Sequence, residues 1–535
     1  MVSAGPASAE PPPSAWAPLR VAAYRSLWVA MLVANIGTWM QTVGAQWLLI
    51  DERNASTLVS LVQTASSLPI LLLALPAGAL ADTLDRRRLL IAVQFFIVGV
   101  GVALTLLTAA GRMPPALLLT LTFAFGVGQA LTLPAWAAII PDLVPRNLLQ
   151  PASGLGSISV NVARSVGPAV AGVLIARIGV PLVFALNTVA FLFFALTLIR
   201  WRAGNSRSVE VPERFTAALR AGGRYVRHSP MVQRLLLRAL LFLIPGSALW
   251  ALLPLIANQR LGLGAGGYGV LLAALGVGAV AGGLALPWVR AKLSPNLFLL
   301  VAGLAYGAAT LVVALVPIEA VVLVALVPAG LAWVTVLSNL TAEMQLFLPG
   351  WVRARGLAVY QVVFAGAQAI GALAWGIVAD AASLILAHVA AGLLMIIGAL
   401  TVRMWPLPDL RAVRQDPATH WPDLELVHEP DPSVGPVIVV VTYTVREDRR
   451  ERFVAAMQEV RAARRRTGAS RWGLYREGES GDLFVEIYEL SSWDEHLRQH
   501  GGRLTKADQV AELRALEHAE GLPQVSHLLP AEAAP

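Results

Sequence analysis

The most restrictive feature of this chain is a repeat of long apolar segments. Displaced by 204 residues, Gly78, Leu80, Ala81, Arg86 and Leu89 fall on Gly282, Leu284, Ala285, Arg290 and Leu293. The same offset carries Gly99 to Gly303, Gly126 to Gly330, Pro145 to Pro349, Gly167 to Gly371 and Gly172 to Gly376 without a gap. Both copies are strings of apolar runs of about 20 residues, the length that crosses a bilayer core. In lipid the backbone must satisfy its own polar groups, so such runs are read as helices. Duplicated strings of this kind are a common way to build membrane transporters.

The runs centre near Val33, Leu68, Val100, Phe125, Arg164 and Phe191, then near Ala248, Val277, Ala308, Ala332, Ile370 and Leu393. The predicted fold is an all-α membrane protein: twelve transmembrane helices in two six-helix halves, residues 20–200 and 231–404. An even number of spans per half makes the copies parallel, related by an axis along the membrane normal. Composition agrees. The chain is 56% hydrophobic and 14% charged, against roughly 45–50% and about 25% in soluble proteins. Residues 1–19 are rich in Ala, Pro and Ser and are expected to be disordered. They lack a signal peptide's apolar core, so the first run reads as a retained helix. The absence of cysteine excludes disulfides, thiolate metal sites and thiol nucleophiles.

Net charge is +8, and its placement sets the topology. One side collects Arg20, Arg25, Arg86, Arg87, Arg88, Arg146, the central loop 201–230, Arg290, Lys292, Arg353, Arg355 and Arg403. The other holds Arg53, Arg112, Arg177 and Arg260. This asymmetry predicts cytoplasmic termini and a cytoplasmic central loop. The loop's charge reads as topology retention and lipid contact. The bilayer is therefore an expected partner and nucleic acid is not.

Polar residues recur along two spans. Asn35, Trp39, Thr42 and Gln46 share a face of the first, and Ser153, Ser157, Asn161 and Arg164 a face of the fifth. The repeat sets Ser157 and Arg164 opposite Gln361 and Gln368, and Gln129 adds an amide to the fourth span. Such faces are expected to line an aqueous substrate pathway or to pack against other helices. Arg164, near mid-span, has three readings: binding an anionic substrate, proton coupling with a carboxylate such as Asp142 or Glu343, or structural bonding to helix carbonyls. The cluster Gly78 to Arg88 ends the second span with Asp82, Arg86 and Arg87, charges suited to locking and releasing one conformation. Gly167-Pro168 interrupts the fifth helix.

The segment Gly78-Ala-Leu-Ala-Asp82-Thr-Leu-Asp85-Arg86-Arg87 resembles the loop motif G-x-L-A-D-x-x-G-R-R/K of the major facilitator superfamily, with Asp85 in place of its glycine. Gly167-Pro168 with Gly172 is similar to that superfamily's exporter signature. The first 400 or so residues resemble the transmembrane secretion effector group, to which the enterobactin exporter belongs. That impression rests on Pro134-Ala-Trp136, Pro145, Asn161, Arg164 and Gly167-Pro168. The resemblance implies a bacterial inner-membrane transporter. It would export a siderophore or drug-like molecule by proton antiport, with alternating access and Asp82 against the start of the eleventh span. The superfamily's drug/proton antiporters usually carry an arginine in span four, where this chain has Gln129.

A Pro-rich linker, 405–435, leads to a tail over 436–530. Val437–Val445, Trp472–Arg476, Leu483–Leu490 and Gln524–Leu529 read as strands. Helices are expected over Glu447–Arg466 and, continuously, over Trp493–Ala519. This is a ferredoxin-like order. It resembles the dimeric α/β-barrel domains related to antibiotic-biosynthesis monooxygenases, which implies pairing of two tails. His496 and His500 sit one helical turn apart and read as surface residues, so no metal and no cofactor is expected. The tail is taken as a dimerisation or regulatory module, and the chain as no enzyme. Two alternatives stand: a monooxygenase tethered to the transporter, or a non-transporting membrane sensor.

Overall fold

The structure is a computed structural model and describes residue 14 and residues 16–201, 222–407 and 430–531. The apolar runs form twelve long helices among the described residues. In the first half they are α1 Ala22–Trp47, α2 Ala55–Thr83, α3 Arg86–Ala109, α4 Pro115–Leu143, α5 Leu149–Arg177 and α6 Val180–Arg200. In the second they are α7 Pro230–Leu255, α8 Ala265–Lys292, α9 Pro295–Leu315, α10 Glu319–Phe347, α11 Gly350–Ala381 and α12 Leu384–Leu400. Eleven of these, α2 to α12, are long and apolar enough to cross a membrane. The first, α1, has 26 residues, roughly 39 Å at about 1.5 Å per residue. Asn35, Gln41, Thr42 and Gln46 dilute its apolar character.

Two compact units emerge. The first comprises Met1–Glu210, Ala239–Leu337 and Gln361–Met404; the second comprises Val211–Arg238, Ser338–Tyr360 and Trp405–Pro535.

In the first unit, repeated glycines do the same work in both copies. A Cβ on Gly126 of α4 would meet Pro69 and the Ser66 carbonyl of α2, at 2.9 and 3.0 Å, and one on Gly330 of α10 would strike Leu275 of α8. Gly167 of α5 abuts Ile36 and Trp39 of α1, whereas Gly371 of α11 abuts Ile244 and Ser247 of α7. Gly172 of α5 meets Gly269 of α8, and Gly376 of α11 meets Ser56 and Ser60 of α2. Each contact thus recurs with its partner shifted one half along the chain. The last pair is reciprocal: α5 seals on α8, and α11 on α2. Lipid tails are as apolar as leucine, so close backbone approach, which only small residues allow, supplies much of this association.

In the second unit, the tail folds as β1 Val437–Thr444, α13 Arg450–Thr467, β2 Arg471–Arg476, β3 Leu483–Leu490, α14 Trp493–Arg498, α15 Lys506–Leu516 and β4 Glu520–Leu528. The sheet is antiparallel with order β2-β3-β1-β4, the split βαβ arrangement. Val437, Val439, Val441 and Tyr443 alternate onto a core with Phe453, Met457 and Val460 of α13. The continuous helix expected over Trp493–Ala519 is broken. Gly502 adopts φ 141°, a conformation that favours glycine, and Thr505 and Asp508 then form a capping box that starts α15 afresh.

Burial in the tail core involves charge. Arg464 pairs with Glu486 at 3.2 Å and with Glu512 at 2.5 Å. Trp472 and Tyr443 also donate to Glu486, so this buried carboxylate is well satisfied. Of the two histidines expected on the surface, His496 is a core residue instead and His500 is partly buried. His496 is fully buried, its ring edge-to-face with those of His500 and His527 at 4.4 and 4.7 Å. The described end of the central loop packs within this unit too: Arg224 pairs with Glu495 at 2.6 Å, and the Tyr225 ring meets Trp351.

Two predictions follow from packing and burial. Gly172→Leu, which must displace Gly269, is expected to lower the melting temperature of the purified chain, whereas Gly99→Ala, with nothing within 4 Å, leaves it unchanged. Desolvation by burial, with charge on His527 and Arg464, holds His496 down to about 3. Desolvation, with His496, Arg464 and His527, holds His500 to about 2. Unfolded histidine takes up protons near 6.5, so the tail should lose stability as pH falls below that value toward 3. Hydrogen-exchange protection over 493–528 in the full chain, corrected for the intrinsic exchange rate, should fall between pH 7 and 5, and His496→Phe should flatten that dependence.

Candidate functional site

Helices α1, α2, α4, α5, α7, α10 and α11 of the first unit line a cavity of about 280 Å³, close to the lower end of small-molecule pockets, roughly 300–1,000 Å³. Its walls carry amides and hydroxyls, the rings of Trp39, Trp250 and Trp333, and one charged side chain, Arg164. No carboxylate is among its lining residues.

The position of Arg164 follows from local sequence. Gly167, one turn further along α5, has no side chain to hold α1 away, so α5 rests on the backbone beside Trp39. The Arg164 guanidinium then lies 5.3 Å from the Trp39 ring centroid. A desolvated cation–π contact contributes about 2 kcal/mol, short of the roughly 2.5–3.5 kcal/mol that an arginine costs at mid-bilayer. Arg164 Nε is buried without a hydrogen-bond partner, as is Trp250 Nε1. Both belong to cavity-lining residues, so the walls hold donors for which the protein supplies no acceptor.

The other polar groups are largely committed to each other. Gln129 Nε2 donates to Thr38 Oγ1 at 2.9 Å, Asn35 Nδ2 to Ser159 Oγ at 3.1 Å, and Gln63 Nε2 to Gln368 Oε1 at 3.2 Å. Gln41 accepts from Asn187. The expected residues Asn35, Trp39, Thr42, Gln129, Arg164 and Gln368 therefore converge on one cavity. Gln46 lies beside it with Pro168, accepting from Tyr268 OH at 2.8 Å. Ser157 and Asn161 bond to carbonyls of their own helix, Gln361 is exposed, and none of the three lines the cavity. Sequence reading missed Thr38, Gln63, Trp250 and Trp333. The tryptophans lie in apolar runs where nothing but aromaticity marks them.

At the basic end, Arg86 donates to the Ala138 carbonyl at 3.0 Å and lies 4.0 Å from Asp142. Arg87 donates to the carbonyls of Leu198 and Ile199 at 3.1 and 2.7 Å. These arginines tie the start of α3 to α4 and α6 within the first half. The surroundings of Gly78 and the side chain of Asp82 are outside what the structure describes, and Glu343 sits on the part of α10 in the second unit.

Across the cavity the two halves are bonded to each other. The Asp380 carboxylate accepts from the backbone N–H groups of Ser56 and Thr57 at 3.2 and 2.8 Å, capping the start of α2. Thr64 Oγ1 donates to the Ala369 carbonyl and Ser165 Oγ to that of Gly276.

Residues 13–535 match the family of transmembrane secretion effectors, and the repeat, the fold and this cavity agree with it. The chain belongs to that family, within the major facilitator superfamily. It is 25% identical to the staphyloferrin A transporter of Staphylococcus aureus over 257 residues, 48% of this chain and 64% of that one. It is 26% identical to the multidrug efflux pump Tap of Mycolicibacterium fortuitum, over 71% of this chain and 95% of that pump. The first of these matches spans less than two thirds of the relative's length. In fold, the chain is similar to a bacterial homolog of the human lysosomal transporter Spinster solved in an inward-facing conformation. The TM-score is 0.57 at 17% identity, covering 72% of this chain and 95% of that one.

An anion at a helix N-terminus contributes about 0.3–1 kcal/mol, so Asp380→Asn should shift the balance of open and closed states by roughly two- to fivefold. The chain has no cysteine. A single Ala45→Cys in the cavity wall should therefore be labelled faster by an impermeant maleimide, added on the Asp380 side, once Asp380 is replaced.

Proposed function

We propose that this chain is a secondary exporter of the bacterial inner membrane, with both termini cytoplasmic, and that its substrate is a small anionic molecule of siderophore or drug-like character. The observation that carries the reading is Arg164, the one charged lining side chain, with its Nε unpartnered. An anion bound there meets the part of the guanidinium's cost that Trp39 leaves uncompensated. The relatives' names, a siderophore transporter and a multidrug efflux pump, support export and a siderophore-like cargo. The bonds joining the halves opposite the arginine cluster support a state open toward the cytoplasm, from which a substrate would load before the halves rock.

Proton antiport is the proposed energy source. Because the cavity walls hold no carboxylate, the proton acceptor is placed outside them, with Asp142 beside Arg86 and Glu343 as the candidates. The tail is proposed to pair with a second copy. Ile438, Val440, Val485, Ile487 and Leu528 lie on the face of its sheet opposite the core, paired in register.

In everted vesicles energised by a proton gradient, the chain is expected to accumulate staphyloferrin A or a similar polycarboxylate. Arg164→Gln should reduce that uptake at least tenfold while leaving membrane expression intact. Wild-type uptake by the variant would overturn the role of Arg164. Uptake of neutral or cationic drugs alone would overturn the anionic substrate class.

A further inference from the structure

Arg164 ends a line of aromatic contacts that crosses from one half to the other. Its guanidinium lies 5.3 Å from the Trp39 ring centroid. The same ring meets Trp250 of α7, in the second half, at 5.8 Å, and Trp250 meets Trp333 of α10 at 5.4 Å. Trp333 is 2% exposed and packs on Phe242 and Tyr306 at 5.7 and 5.9 Å. Tyr306 OH donates to the Gly246 carbonyl at 2.9 Å, and a Cβ on Gly246 would sit 2.9 Å from the Trp333 ring. The second-half end of the line is therefore fixed. Trp39 and Trp250, half-buried in the cavity wall, are the members with room to turn.

Trp39 also begins a line of contacts along α1. Gln46, seven residues further and so on the same face, accepts from Tyr268 OH of α8 at 2.8 Å, and the adjoining Trp47 ring stacks on Tyr268 at 6.1 Å. These contacts tie α1 to the second half from the cavity out to the end where Asp380 caps α2. Trp39 is their inner terminus, and it is the member that touches the charged group.

A cation–π contact is only as strong as the charge that the ring sees. An anion seated on Arg164 makes charge-assisted hydrogen bonds with the guanidinium and offsets that charge. The hold on the Trp39 ring therefore weakens when the site fills and returns when it empties. We propose, resting on the reading of Arg164 as an anion site, that Trp39 is a positioning residue that carries the occupancy of Arg164 to the contact between the halves. With the site empty, the guanidinium holds the Trp39 ring against Trp250. With the site filled, the ring is released and α1 can part from α7. A ligand shifts a conformational balance only through contacts that differ between the two states, and the Trp39 ring supplies such a difference.

The test uses the full-length chain and no substrate, so its outcome is separate from whether vesicles accumulate an anion. With Ala45→Cys as the reporter, 1% exposed in the cavity wall, labelling by the impermeant maleimide from the Asp380 side reads the open fraction. Arg164→Gln, which removes the charge as a bound anion would, is expected to speed labelling roughly two- to thirtyfold, the range of a cation–π contact. Trp39→Leu and Trp250→Leu, each alone, should speed it by a similar factor. Joined to Arg164→Gln, neither should speed it further, because the line is already broken; independent structural effects would multiply instead. Trp39→Tyr keeps a ring for the guanidinium and should retain the sensitivity to Arg164→Gln that Trp39→Leu abolishes. Should Trp39→Leu fail to express, the cycle with Trp250→Leu decides alone. Labelling of Arg164→Gln at the parent rate, or factors that multiply when it is joined to Trp250→Leu, overturns the proposal.

Discussion

Close approach of helix backbones at glycine is the constraint on which the remaining architecture rests. Helices in lipid gain little by hiding apolar side chains from one another, so they must associate through contact itself. Gly172 on Gly269 and Gly376 on Ser60 bring the halves together, and Gly167 sets α5 on α1. Arg164 stacks on Trp39 because of that last contact. A bulkier residue at 167 would move the charged group and the aromatic ring apart. The cavity is thus a by-product of where side chains are missing.

Much of this was legible in the sequence because helices in lipid are long and repeated. Matched glycines at one fixed offset are a packing code, and the structure shows them meeting equivalent partners in both copies. Among the glycine pairs described in both copies Gly99 is the exception: Gly303 meets Ala399, but nothing lies within 4 Å of a Cβ on Gly99. The polar stripe on α1 was readable because polar residues are rare there. Trp250 and Trp333 were not, since an aromatic ring in an apolar run looks the same whether it lines a cavity or faces lipid. The roles of Gln63 and Asp380 depend on partners about 300 residues away, and no local pattern encodes such a pairing.

The tail shows a different limit. Strand alternation gave its order, because a sheet with one buried face imprints a period of two. Its charged core was hidden, because Arg464 in a helix rich in arginine gives no sign that it is the buried one. The helix break at Gly502 was hidden for a related reason: the surrounding charge pattern continues across it. His496 was misplaced to the surface because spacing alone does not say which side of a helix the sheet covers.

The two seams between the halves are not equivalent, although the repeat makes their glycines so. Asp380 fastens α11 to the first turn of α2, but the residue 204 positions earlier is Ala176, which has no acceptor to offer α8. One seam is therefore held by charge as well as by shape, and the other by shape and the neutral hydrogen bond from Ser165 to the Gly276 carbonyl. Ionic strength acts on the first and leaves the second untouched. When the sealed end parts, the α5–α8 edge has less to break, so the opening motion should begin as a tilt rather than a symmetric spreading.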